Sequence, residues 1–215
     1  GNKGVEYLTL ISVFNEDEGE RLYTNETWKR ISRKLSTELN KNYFRSYMKG
    51  ELLNRLIYLE IKTSLPDHLL MKVDKMTMAH SIEARVPLLD HVLAEFSATM
   101  PQEVKLRGTR DKYIFRKAMS GMLPKKILQR EKQRFFVPIH KWLGDESREL
   151  ALQILDSNSI KRRGYFNYTP IRRMFEKFEK SKLYYSRQLW SLLSLEIWCR
   201  TYLDRVDISR PIELG

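Results

Sequence analysis

One stretch limits the fold more than any other. Between Arg187 and Tyr202, Leu189, Trp190, Leu192, Leu193, Leu195, Ile197, Trp198 and Tyr202 recur without a glycine or proline. At about 100° per residue they cover nearly every face of a helix. A helix that is apolar all round must be covered by other elements, so this segment is predicted to be a central buried helix. Composition agrees: nine glycines and seven prolines in 215 residues fall below ordinary usage and favour helices over a turn-rich β sandwich. Apolar residues at 42% exclude a disordered tail. No apolar run approaches the ~18 residues of a membrane span.

The rest of the chain reads the same way. Residues 5–14 form a short extended segment by pattern, and the acidic stretch Asn15 to Glu20 reads as a loop. Trp28, Ile31, Leu35 and Leu39 then recur at helical spacing, and Leu52, Leu53, Leu56, Ile57 and Leu59 continue after Gly50. Pro66 suits the first turn of a helix whose buried stripe is Leu69, Leu70, Val73, Met76 and Ala79. Asp90 suits the cap of a helix holding Val92, Leu93 and Phe96 that stops before Pro101. Thr109 suits the cap of another, with Tyr113, Ile114 and Ala118 facing the core until Gly121. Pro124 opens a further helix, and 139–156 and 170–181 are amphipathic. The expectation is mainly α: a multi-helix globular bundle with one short N-terminal strand, residues 1–215 forming a single helical region. An opening as abrupt as Gly1-Asn2-Lys3-Gly4-Val5-Glu6 has no secretory pattern and reads as part of something larger. The lone Cys199 permits no internal disulfide, which suits a cytoplasmic protein.

Charge is uneven. Residues 105–134 carry eleven basic side chains against Asp111 and Glu131, nine of the chain's net twelve positive charges. With Thr109 as cap, Arg110 to Lys112 would form a first helical turn whose free N–H groups attract an anion. Lys112 would then be a mobile point charge beside the more rigid Arg107 and Arg110; a solvated basic face accounts for the same spacing. Upstream, Glu83, Arg85 and Asp90 alternate with Ile82, Ala84, Val86, Pro87 and Leu88. Buried charges there would pair with one another or line a site. In Arg130-Glu131-Lys132-Gln133-Arg134-Phe135-Phe136-Val137-Pro138, basic and aromatic residues interleave. They either stack on bases or anchor a loop that leaves Lys132 and Arg134 facing a phosphate. No histidine has a partner at metal-ligand spacing, and no glycine-rich phosphate loop occurs.

At these blocks the chain resembles a known family. Leu65-Pro66-Asp67-His68-Leu69-Leu70-Met71-Lys72-Val73-Asp74-Lys75-Met76-Thr77-Met78-Ala79-His80-Ser81-Ile82-Glu83-Ala84-Arg85-Val86-Pro87-Leu88-Leu89-Asp90-His91 closely resembles the signature of glutamine-hydrolysing asparagine synthetases. Lys105-Leu106-Arg107-Gly108, Asp111-Lys112-Tyr113-Ile114-Phe115-Arg116-Lys117-Ala118, Leu123-Pro124, Arg130-Glu131-Lys132-Gln133, Val137-Pro138 and Leu189 to Trp198 follow in the family's order. The resemblance spans about residues 5–204.

It implies the C-terminal helical part of a synthetase domain of the ATP-pyrophosphatase, adenine nucleotide α-hydrolase-like type. The glutaminase nucleophile and the Ser-Gly-Gly-x-Asp-Ser pyrophosphate loop would lie upstream. In such enzymes ATP adenylates the aspartate side chain, and ammonia from glutamine displaces AMP. By resemblance Lys112 contacts the phosphates as the catalytic cation, Lys132 with Arg130 faces phosphate, and Glu83 and Arg85 line the substrate or serve structurally; Arg107 and Arg110, from their place beside Lys112, are expected to bind ATP or pyrophosphate with Lys132. Mg²⁺ would be held mainly upstream. This part alone is expected to be inactive. Arg134-Phe135 departs from the usual Gly-Phe, and related enzymes that close β-lactam rings share this half of the fold, so the acceptor stays open. Two other readings compete: a basic helical module for nucleic acid, less favoured because the charge centres on Lys112, and a non-catalytic interaction domain built on the synthetase fold.

Overall fold

The computed structural model describes residues 3–31, 42–46, 50–131, 137–145 and 147–204. Among them regular structure is helical, and β pairing is confined to isolated bridges. No described helix is long and apolar enough to cross a membrane. The chain forms two compact units, Gly1–Tyr7 with Arg33–Gln133, and Leu8–Ser32 with Arg134–Gly215.

Two expectations for the N-terminal stretch are corrected. The extended segment at 5–14 is instead helix α1, Lys3–Ile11. No described strand pairs with it, and a helix satisfies its backbone groups internally where a lone strand could not. The acidic "loop" holds helix α2, Glu16–Leu22. The Asn15 side chain accepts from the Glu18 amide while the Glu18 carboxylate accepts from the Asn15 amide, both at 2.9 Å. This capping box, with three acids in the first turn, starts a helix that apolar periodicity alone did not reveal. Helix α3, Asn25–Arg30, is capped by Thr24 and ends at Ile31; Leu35 and Leu39 lie outside the described residues.

In the first unit, helix α4, Leu52–Lys62, forms where its apolar spacing predicts. Leu59 is buried in it, and Arg55 donates to the Phe44 carbonyl while lying 3.9 Å above that ring. Tyr7 donates to Glu60 at 2.6 Å, and burial followed by this hydrogen bond pushes its pKa up to about 12. Pro66 stands in the first turn of a π-helical stretch, Leu65–Leu70, in which the Met71 amide reaches back to the Pro66 carbonyl. That stretch runs into helix α5, Met71–Met78. The stripe predicted to be buried here is open: Leu69 is 52% and Met76 65% exposed, and Val73 and Ala79 are exposed with them. The spacing is right, but no described element covers it.

After a 3₁₀ turn at Pro87–Leu89, helix α6, His91–Thr99, is capped by Asp90, whose side chain accepts from the Val92 and Leu93 amides. Helix α7, Gln102–Lys105, is tied to α4 through Glu51, which accepts from the Gln102 amide, and through Lys105, which donates to Asn54. Burial lowers the Lys105 pKa and Glu51 partly offsets it. Helix α8 is Tyr113–Ala118, and Pro124 opens α9, Lys125–Gln129, as expected.

The second unit holds the core. The helix read over 139–156 is two pieces, α10, Ile139–Trp142, and α11, Arg148–Ile154. Helices α12, Ser157–Arg163, and α13, Tyr168–Glu176, follow, then a 3₁₀ turn at Phe178–Lys180 and α14, Lys182–Tyr202. Leu22, Leu143, Ile154, Ile171, Phe178 and Leu189 are almost fully buried together. A single bridge joins Tyr23 to Phe166, with Thr24 donating to the Tyr165 carbonyl and Asn167 to the Leu22 carbonyl. Gly164 ends α12 at φ +75°, a conformation that suits glycine, and its carbonyl accepts from the Thr24 and Thr27 hydroxyls.

Helix α14 is central to this core, though one flank, with Leu195, Trp198 and Tyr202, stays exposed. Inside it Glu196, 4% exposed, receives Arg163 at 3.0 and 3.1 Å and Arg200 at 3.1 Å. Arg163 also binds Asp204, whose carboxyl its hydrogen bonds hold below the usual range, and Arg200 reaches the Ser159 hydroxyl and the Ile154 carbonyl. Cys199 is buried beside this network, and burial raises its thiol pKa.

Candidate functional site

The basic block folds differently from its sequence expectation. Thr109 caps no helix; it sits in a two-residue reverse turn closed by reciprocal backbone hydrogen bonds between Arg107 and Arg110, each 3.0 Å. Gly108 takes φ +59° at the first central position, which is why the Arg107-Gly108-Thr109-Arg110 turn can close so tightly. Helix α8 begins only at Tyr113, with Lys112 as its N-cap residue at φ 53°, ψ 35°. Arg110 to Lys112 are therefore not a helical first turn, and the anion-attracting amides expected of one are not what gathers charge here.

Side-chain geometry gathers it instead. Arg107 and Arg110 share the turn, with Lys112 two residues beyond, and all three side chains are exposed. Arg107 donates to the Tyr113 hydroxyl at 2.8 Å and lies 5.1 Å from its ring centroid, which holds the guanidinium against an aromatic face. Lys112 has no acidic partner among the described residues, and the adjacent Asp111 carboxylate is engaged through Oδ1 by Arg116 at 3.0 Å. Lys132, with Arg134 and Phe135, lies outside the described residues.

Glu83 and Arg85 do pair, at 3.1 and 3.4 Å, but on the surface, with side chains 71% and 83% exposed. The expected burial of this segment is corrected: Ile82, Val86, Leu88 and Leu89 are exposed too. Asp90 serves as the α6 cap rather than as a partner of Arg85. No hydrogen bond or ion pair among the described residues joins the Glu83–Arg85 pair to the Arg107–Lys112 turn, so the structure assembles the basic turn and leaves the pair apart.

Arg116 is tied into the same region by contacts that its residue type does not announce. Its guanidinium donates from Nε to the Asp111 carbonyl, from Nη2 to the Asp111 carboxylate, and from Nη1 to the carbonyls of Leu128 and Arg130. Three of these acceptors are backbone oxygens, which leave no mark in residue identity. The Asp111–Arg116 spacing of five is also not the i,i+4 pair for which a helix is normally searched.

Similarity to known proteins is extensive. The sequence pattern of the asparagine synthase family matches residues 10–200. Glutamine-hydrolysing asparagine synthetase 1 of Bacillus subtilis (strain 168) is 34% identical over 161 residues, 75% of this chain and 25% of the relative. A putative glutamine-hydrolysing asparagine synthetase of Mycobacterium tuberculosis (strain H37Rv) is 31% identical over 73% of this chain and 24% of its own length. The amidase chyE of Penicillium rubens is 26% identical over 56% of this chain and 19% of its own. The chain thus spans about a quarter of the length of the two synthetases. No solved structure matches. With a family match that runs from residue 10 to residue 200 and takes in both compact units, the chain belongs to the asparagine synthase family.

Proposed function

We propose that this chain is the C-terminal helical part of an ATP-dependent, glutamine-hydrolysing asparagine synthetase. Both compact units would belong to one synthetase region, in a cytoplasmic enzyme. The observation that carries the reading is the basic turn Arg107–Lys112, whose lysine has no acidic partner among the described residues, inside a chain whose family match is nearly complete.

In this reading aspartate, ATP and glutamine-derived ammonia are the substrates. The aspartate side-chain carboxylate attacks the α-phosphorus of ATP, the bond to pyrophosphate breaks, and ammonia then displaces AMP to form the amide. Lys112 stabilises the charge that develops on the departing pyrophosphate, while Arg107 and Arg110, and Lys132 from the following segment, bind phosphate oxygens. Glu83 and Arg85 line the substrate side or serve as a local brace. Among the described residues no group of three or more His, Cys, Asp or Glu side chains is arranged to hold a metal ion. In this reading Mg²⁺ would be held mainly by the upstream part of the enzyme. The open stripe Leu69, Val73 and Met76 is the face that this upstream part would cover.

Family membership favours phosphate handling over nucleic-acid binding or a purely non-catalytic role. AMP release from aspartate, ATP, Mg²⁺ and ammonia is the test. This chain alone should show none, and in the intact synthetase Lys112→Ala should lower turnover by ~10²–10³-fold. Turnover by this chain alone, or an intact Lys112→Ala enzyme working at full rate, would overturn the reading.

A further inference from the structure

In the basic block the Arg116 guanidinium is turned inward. Its side chain is 29% exposed, and four hydrogen bonds of 2.7–3.2 Å use most of the guanidinium fork. These bonds join two separate pieces of chain: Asp111, immediately before Lys112, and the Leu128–Arg130 segment at the end of α9. Lys112 itself has a left-handed backbone, φ 53°, ψ 35°, which a non-glycine residue holds only when its surroundings impose it. The Arg116 contacts to the carbonyl and carboxylate of Asp111 are the imposing contacts on the N-terminal side, and the Arg116 amide donates to the Lys112 carbonyl at 2.9 Å on the other.

We infer that Arg116 is a positioning residue for Lys112: it fixes the strained backbone that aims the lysine and withholds the Asp111 carboxylate from it. The inference rests on the synthetase reading above. Its chemical logic is a matter of charge. Asp111 and Arg116 pair with one another, so the Lys112 ammonium is not tied to its neighbouring carboxylate and can pair with an incoming polyphosphate. Without Arg116 the neighbouring Asp111 carboxylate is released to pair with Lys112, and the Leu128–Arg130 segment loses its tie to the turn.

The experiment is a double-mutant cycle in the intact synthetase. It reads aspartate-dependent exchange of labelled pyrophosphate into ATP, with glutamine hydrolysis and thermal midpoint followed on the same samples. Arg116→Gln should lower the exchange kcat by about 100-fold, the scale of a misplaced reacting group, and leave glutamine hydrolysis unchanged. Arg116→Lys keeps the charge but not the fork and should fall between Arg116→Gln and wild type. If Arg116 acts through Lys112, Lys112→Gln combined with Arg116→Gln should be no slower than Lys112→Gln alone, within about twofold. A purely structural role would make the two losses multiply, and that result, or full exchange activity in Arg116→Gln, overturns the inference while the synthetase reading stands. Full exchange activity in Lys112→Gln brings down the synthetase reading itself.

Discussion

The two units follow the same local rules and reach opposite degrees of burial. In the second, Leu143, Ile154, Ile171, Phe178 and Leu189 are excluded from solvent, and α14 collects α10, α11 and α13 around itself. In the first, Phe44 and Leu59 are the buried hydrophobic side chains among the described residues, while Leu69, Met76, Ile82, Leu88, Val92 and Phe96 are more than half exposed. Both have capped helices with apolar residues at helical spacing. The difference shows that spacing makes a helix amphipathic but does not supply its cover. Each large apolar side chain left fully open forgoes about 1.5–3 kcal/mol of burial, so the first unit draws less of its stability from burial than the second.

The sharpest way to break this contrast is a pair of truncations in this chain. Phe178→Ala should cost about 3–5 kcal/mol in denaturant-melting free energy, because the ring is fully enclosed. Glu196→Ala follows at about 3 kcal/mol; it removes the carboxylate, 4% exposed, that Arg163 and Arg200 share. A loss under about 1 kcal/mol in either variant would mean that the second unit is less consolidated than its burial indicates.

Acid should act on the same unit. The Asp204 carboxyl is depressed by the hydrogen bonds of Arg163, and that of Asp156 by the Ser159 hydroxyl. Each takes up a proton less readily folded than unfolded, where the ordinary value is 3.8. Their contribution is therefore complete above the unfolded value and is lost as pH falls from about 4 through the depressed folded values. An acid titration of the denaturant midpoint should show this loss, and Asp204→Asn should flatten it. The smallest effect belongs to the first unit: Met76→Ala, at a position 65% exposed, should stay within about 0.5 kcal/mol of wild type. A larger loss would show Met76 packed in solution and would erase the contrast.

Much of the fold was legible because it is local. Asp90 before Val92, Pro124 before Lys125 and the Leu52–Leu59 spacing act over one or two helical turns, and each produced its element. The capping box at Asn15 and Glu18 was equally local and equally readable, but apolar periodicity cannot see a helix that starts on acids. At the candidate site, the clustering of Arg107, Arg110 and Lys112 follows from sequence adjacency, whereas the turn that replaces the expected Thr109 cap depends on Gly108 and a closed backbone pair. Glu196 stood in plain view inside an apolar helix, with Arg200 one turn on. Its main partner, Arg163, lies 33 positions away, at a separation no periodicity reports.

The amino-acid sequence by itself determined that this chain is helical, that its charge concentrates around Lys112, and that its ordered blocks resemble those of the asparagine synthase family. These properties reside in residue identity and in spacings of a few positions. Tertiary structure decided which apolar faces are covered, that Asp111 is committed to Arg116 rather than to Lys112, and that Arg163 closes on Glu196. Each of those depends on backbone carbonyls, or on residues far apart in sequence, being brought within about 3 Å, the reach of a hydrogen bond.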